Sequence, residues 1–153
     1  MIRATTAQKI RPCQTTYPYP QFIKSLKLGN DCDFAEICMK DSRDLTPQDV
    51  ELVCKTVEKS QHTKIIITHG TYTMPDTAKY LKENLKRKDQ TIILTGSLIP
   101  IHGFSSSDGG FNLGYAVAQL EHLPAGVYLC MNGQVFEAGK VKKNVKEGRF
   151  EKD

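Results

Sequence analysis

No run in this chain approaches the roughly 18 consecutive apolar residues that a membrane-spanning helix needs, and the N-terminus lacks a basic segment leading into an apolar stretch. Neither a span nor an export signal is expected. The five cysteines (Cys13, Cys32, Cys38, Cys54 and Cys130) contain no CxxC spacing. An odd set without that spacing gives neither a readable disulfide framework nor a zinc site, so reduced thiols in a cytoplasm are the expectation. His62, His69, His102 and His122 show no ligand spacing with one another or with the cysteines, so no metal is expected. GxGxxG and the P-loop are both missing, which removes the two common glycine-rich cradles for nucleotide phosphates, and no cofactor is implied. Nor is there an unbroken basic stripe. The net charge is only +4, and the densest basic run, Lys140 to Lys152, is interleaved with Glu147 and Glu151 and has Phe150 as its single aromatic rather than a row of stacking residues beside it. A nucleic-acid partner is therefore not expected.

What is present suits one globular domain. The 153 residues, 39% hydrophobic and 25% charged, can bury a core without disulfides or metals. No internal repeat, low-complexity tract or linker divides them, so residues 1–153 are read as a single domain. Short β-branched runs alternate with segments of helical apolar spacing. The clearest predicted strands are Lys64 to Thr68, Thr91 to Thr95 and Gly126 to Met131, which are apolar nearly throughout, as suits a sheet covered on both faces. Further strands are expected at Asp33 to Met39 and at Ile2 to Thr6. Thr46 before Pro47, with Asp49 three residues on, reads as a helix start, and Val50, Val53, Cys54 and Val57 follow on one face. Ala78, Leu81 and Leu85 form a second stripe; Phe111, Leu113, Ala116, Val117 and Leu120 form a third that Pro124 stops. Gln21 to Leu28 is a shorter helix candidate. Strand and helix in alternation imply a parallel sheet in a three-layer α/β sandwich.

In such sheets, ligand-binding groups sit in loops leaving the carboxyl ends of strands. Three segments qualify: Lys40 to Asp44, His69 to Thr73, and Gly96-Ser97. Hydroxyls of Ser42, Thr71, Thr73, Thr95 and Ser97 would converge there with backbone amides freed by Gly70 and Gly96, a plausible anion or carbonyl site. Taken singly, each of these residues is equally well explained as a helix cap or as turn chemistry. His69 is expected to pack beneath the threonine loop, and Asp108 to cap the helix entering Phe111.

The string Ile65-Ile66-Ile67-Thr68-His69-Gly70-Thr71, with Thr73-Met74 and Asp76-Thr77-Ala78, resembles the second threonine motif of the bacterial L-asparaginases. Asp41-Ser42-Arg43-Asp44-Leu45-Thr46 resembles the family's DSxDMT segment, Thr91 to Pro100 its strand and turn, and Ser107 to Asn112 its SDGPFN helix start. The order and spacing also match, over roughly Pro20 to Phe150. Met131 to Phe136 and Val141 to Asn144 resemble the ends of compact relatives that hold only the N-terminal asparaginase domain, so the second, C-terminal domain is expected to be absent.

The resemblance implies hydrolysis of the side-chain amide of asparagine or a related small amide, in a homodimer or higher homo-oligomer. In the family, one threonine of a TGGT motif attacks the carbonyl, and a second acts with a lysine and an aspartate. Thr71 matches the second threonine. Lys143 is the choice for the lysine, with Lys142 an alternative because the spacing differs by one. By the same resemblance Ser42, Gly70, Tyr72 and Ser97 would bind substrate. The sequence departs from the pattern twice. The aspartate that would grip the substrate's α-ammonium is Tyr72, and no TGGT occurs near the N-terminus, where Thr5 to Ile10 is the best gapless match and puts Lys9 in the nucleophile's place. Arg11 to Pro20 stands where the family has its mobile lid. Two functions follow: an amidohydrolase that is weak or impaired, or a catalytically silent module that binds a small amino-acid-like ligand or serves in assembly.

Overall fold

Side-chain alternation along three short strands decides the layering. The computed structural model describes residues 23, 24, 27, 29, 32–99 and 106–153. Strands β1 (Lys64–Thr68), β2 (Thr91–Thr95) and β3 (Gly126–Met131) run parallel, and β4 (Gln134–Glu137) closes the sheet antiparallel to β3, in the order β1-β2-β3-β4. Ile65, Ile92, Leu94, Val127, Leu129 and Met131 point to one face; Ile66, Ile93, Tyr128 and Cys130 point to the other. Each face needs an apolar cover, because a strand exposes alternate residues on opposite sides.

The helices supply those covers. Helix α1 (Pro47–Lys59) presents Val53, Cys54 and Val57, and α2 (Met74–Asn84) presents Met74, Ala78 and Leu81, both to the Ile65 face. Helix α3 (Gly109–Gln119) covers the Ile93 face through Ala116, continued by Leu120. The result is the expected three-layer arrangement about a mainly parallel sheet. A two-stranded hairpin, β5 (Val141–Asn144) with β6 (Arg149–Lys152), adds Val141 and Phe150 to the core on the α1–α2 side.

Helix α1 begins as its sequence requires. Thr46 Oγ1 accepts from Asp49 N at 3.3 Å, Asp49 Oδ2 accepts from Thr46 N at 2.8 Å, and Pro47 fills the first turn, so two otherwise orphaned amides are satisfied reciprocally. Lys40 Nζ donates to the same Oδ2 at 2.7 Å. These bonds, that of Lys40 foremost, hold the Asp49 carboxyl at about 2, below its ordinary 3.8. Replacing Thr46 with alanine should lower unfolding stability by about 1 kcal/mol, read as a Tm lower by a few degrees. An unchanged Tm would show that the cap contributes nothing.

One strand expectation is overturned. Asp33 to Met39 is irregular and has no ladder partner among the described residues. Its apolar content serves packing instead, with Ile37 lying against the main core. Ile2 to Thr6, Thr5 to Ile10 and Arg11 to Pro20 lie outside the described residues, as does most of Gln21 to Leu28, of which Ile23 and Lys24 are helical. Among the described residues no helix is long and apolar enough to cross a membrane.

Candidate functional site

The carboxyl ends of β1 and β2 lie side by side because the strands pair in register, Thr68 beside Thr95. His69 N extends the ladder one step by donating to Thr95 O at 2.9 Å. The two loops that follow touch through their backbones. A Cβ on Gly96 would sit 2.3 Å from His69 O, and one on Gly70 would sit 2.8 Å from both Cβ and Oγ of Ser42. Glycine is required at both places by close approach, since neither φ lies in the left-handed region.

Ser42 opens a 3₁₀ turn (Ser42–Asp44), where Asp41 Oδ1 caps by accepting from Arg43 N at 2.9 Å. The serine is only 3% exposed and clamps the threonine loop at two points: its Oγ accepts from Tyr72 N at 3.1 Å, and its carbonyl accepts from Thr73 Oγ1 at 2.8 Å. Immediately before these anchors lies Thr71, to whose Oγ1 Lys143 Nζ donates at 2.7 Å. Lys142 points elsewhere, exposed and 3.5 Å from Asp153. Period two along β5 explains the choice, because Lys143 shares the inward face of buried Val141.

A chain of amides fixes where that lysine stands. Lys143 pairs with Phe150 across the hairpin, and Phe150 N donates to Asn132 Oδ1 at 3.2 Å. Asn132 and Gly133, with φ of 54° and 69°, form the tight turn between β3 and β4. Asn132 N donates to Asn112 Oδ1 at 3.1 Å, and Asn112 Nδ2 donates to Gly96 O at 3.0 Å. The circuit thus returns to the loop after β2, and the completely buried Asn112 amide is satisfied on both sides.

Two cations flank Tyr72, the neighbour of Thr71. The Lys143 ammonium lies 5.4 Å from the Tyr72 ring centroid and the Arg43 guanidinium 5.7 Å from it. Partial burial pushes the Lys143 pKa down from its ordinary 10.5, Arg43 adds to that, and Asp41 opposes it. His69 is held below its ordinary value chiefly by burial, against the raising effect of its bond to Gly70 O at 2.6 Å. A carbonyl only accepts, so Nδ1 carries the proton and the neutral ring braces the loop.

Not every expected hydroxyl reaches the site. Thr95 Oγ1 donates to Cys130 O at 2.8 Å, inside the sheet, and Thr73 is consumed by Ser42. Ser97, half-buried, makes no hydrogen bond among the described residues, and Tyr72 is 53% exposed. Asp108 does not cap α3. Its carboxylate accepts instead from Leu98 N at 3.0 Å, Ile99 N at 2.9 Å and Asn112 Nδ2 at 2.8 Å, shaping the loop that carries Ser97. Arg43 and the two asparagines were not legible as parts of the site, although the Asp41-x-Arg43 spacing was a local signal for a paired turn. A cavity of about 490 Å³ lined by Phe136, Lys140 and Lys152 includes none of these residues.

Known proteins share this fold and motif order. The family model described as "Asparaginase, N-terminal" matches residues 2–149. The glutaminase-asparaginase of Acinetobacter glutaminasificans is 38% identical over 92 residues, 58% of this chain and 27% of that protein. L-asparaginase 1 of Escherichia coli K12 is 30% identical over 113 residues, 72% of this chain and 33% of that protein. The chain therefore spans about a third or less of the length of these relatives. The crystal structure of a probable cytoplasmic L-asparaginase from Campylobacter jejuni superposes with a TM-score of 0.71 at 29% identity, covering 80% of this chain and 41% of that one. Fold, motif order and family match converge: this chain belongs to the asparaginase family and carries its N-terminal α/β domain.

Proposed function

We propose that this domain is an amidohydrolase acting on the side-chain amide of a small molecule, with Thr71 as nucleophile and Lys143 as its base. The observation that carries the reading is the 2.7 Å contact between Lys143 Nζ and Thr71 Oγ1. A threonine hydroxyl is a weak nucleophile until a neighbouring base takes its proton, and a lysine serves as that base once its pKa is lowered. Thr71 Oγ1 then bonds to the amide carbon while its proton passes to the neutral amine of Lys143. Collapse of the tetrahedral adduct breaks the C–N bond, ammonia leaves with that proton, and an ester on Thr71 remains. Water hydrolyses the ester, releasing the carboxylate and restoring the hydroxyl. Ser97, whose hydroxyl makes no bond among the described residues, and Ser42, whose O–H can still donate, hold the ligand beside Gly70 and Tyr72.

Turnover of asparagine itself is expected to be weak, because Tyr72 offers no carboxylate to an α-ammonium group. The same feature favours a second reading, a silent asparaginase-like module that binds a small ligand without turnover. Ammonia release from asparagine and glutamine by the chain and by Thr71→Ala separates the two. Release abolished by the substitution supports catalysis; equal release from both proteins removes Thr71 from the reaction, and none from either supports the silent module. A homodimer is the assembly expected from the family.

A further inference from the structure

We propose that the ligand of this site is a short amide-bearing carboxylate without an α-ammonium group, of the kind represented by succinamate. The inference rests on reading Thr71 and Lys143 as the amide-hydrolysing pair and adds the ligand's charge pattern. Three side chains set that pattern: Tyr72 next to Thr71, and the cations Arg43 and Lys143 that lie 5.7 and 5.4 Å from the centre of its ring. An amino acid bound with its amide at Thr71 would bring a third cation into this group. The attraction of the tyrosine ring for positive charge is already drawn on by two partners.

The carboxylate best placed to neutralise such an ammonium is not free to do so. Asp41 Oδ1 accepts from Arg43 Nε at 3.0 Å and from Arg43 N at 2.9 Å, and Asp41 Oδ2 accepts from Arg43 Nη2 at 2.9 Å. Both oxygens are thus committed to one residue. Asp44, the other acidic neighbour of Arg43, makes no hydrogen bond to it among the described residues and acts on it through space. The guanidinium, by contrast, keeps capacity. Its Nη1 makes no bond among the described residues, so two N–H groups on a permanent cation remain for a carboxylate. Ser42, next to Arg43 in the chain, keeps its own O–H to donate, since its Oγ only accepts from Tyr72 N. The site therefore offers open donors on a cation to an anion, whereas the carboxylate nearest them, Asp41, already has both oxygens paired with Arg43.

The test uses two matched pairs that differ only in the amino group. Calorimetric titration of the chain with succinate and with L-aspartate reads binding, and ammonia release from succinamate and from L-asparagine reads turnover. At the separations involved, a preference of about tenfold for the ligand without the ammonium is expected in binding. Arg43→Gln should weaken succinate binding by about tenfold, and Tyr72→Asp should narrow or reverse the preference by supplying a carboxylate. Circular dichroism of each variant reports whether it remains folded, and the wild-type preference stands as a measurement independent of both. Equal or tighter binding of aspartate overturns the inference while leaving hydrolysis through Thr71 intact. Preferential succinate binding with no ammonia from either amide upholds the ligand class and removes the hydrolytic reading. Binding of neither ligand overturns the inference.

Discussion

Replacing Gly96 with alanine should lower unfolding stability by about 3 kcal/mol or more, seen as a Tm lower by roughly 6–12 °C. The added Cβ would stand 2.3 Å from the carbonyl oxygen of His69, roughly 1 Å inside the distance at which non-bonded atoms come to rest. Nothing flexible can yield there, because the neighbour is backbone that is itself tied to Thr95 O through His69 N. Met74 Cε, 3.1 Å from the same point, belongs to a completely buried side chain, so the opposite side is filled as well. Relief requires the ends of β1 and β2 to part, which also moves Thr71 away from its anchors. Gly114 provides the control. It lies in α3 with nothing within 4 Å of its would-be Cβ, so Gly114→Ala should raise stability by about 0.5–1 kcal/mol through helix propensity. Thermal melts of both variants decide the matter, and a Gly96→Ala protein that melts with the wild type would mean the two loops are not in contact.

How far the sequence reveals this molecule depends on whether a feature is local. The three parallel strands are legible because Ile65 to Ile67, Ile92 to Leu94 and Val127 to Met131 are apolar on both faces, and the sheet buries both. The start of α1 is legible because cap, proline and acid lie within four residues. Asp33 to Met39 has similar apolar content, yet it has no ladder partner among the described residues, and composition cannot supply one. Asp108 stands at the start of α3, where a cap is the natural reading. Its carboxylate reaches instead to Leu98 N and Ile99 N, nine or ten residues back, a choice made by tertiary packing. The hydroxyl of Thr95 turns toward Cys130 O for the same kind of reason. Thr71 and Lys143 are 72 residues apart, and no periodicity predicts that they meet. The choice between Lys142 and Lys143, however, was contained in the sequence. Val141 is the apolar residue of β5, and alternation places Lys143, not Lys142, on its side.

If Lys143 is the base, Lys143→Met should reduce ammonia release by about 10²–10⁴-fold while the protein stays folded, since methionine keeps the length of the side chain and removes the amine. The pH profile is more discriminating than the loss alone. Burial and Arg43 lower the Lys143 pKa from 10.5, so activity should rise with pH along a limb centred below that of free lysine. The sign for stability agrees: between the folded value and 10.5 the unfolded chain binds the extra proton, so folding becomes more favourable as pH climbs through that window. Two neighbours then shift the limb in opposite directions. Arg43→Gln removes a repelling cation and frees Asp41 to attract, so the limb moves to higher pH. Asp41→Asn removes the attracting carboxylate and frees Arg43 to repel, so it moves to lower pH, and asparagine still accepts from Arg43 N as a cap. A purely structural role for Lys143 would leave both limbs where the wild type has them. Opposed shifts from these two substitutions require a titrating group that feels both charges, as the amine of Lys143 does.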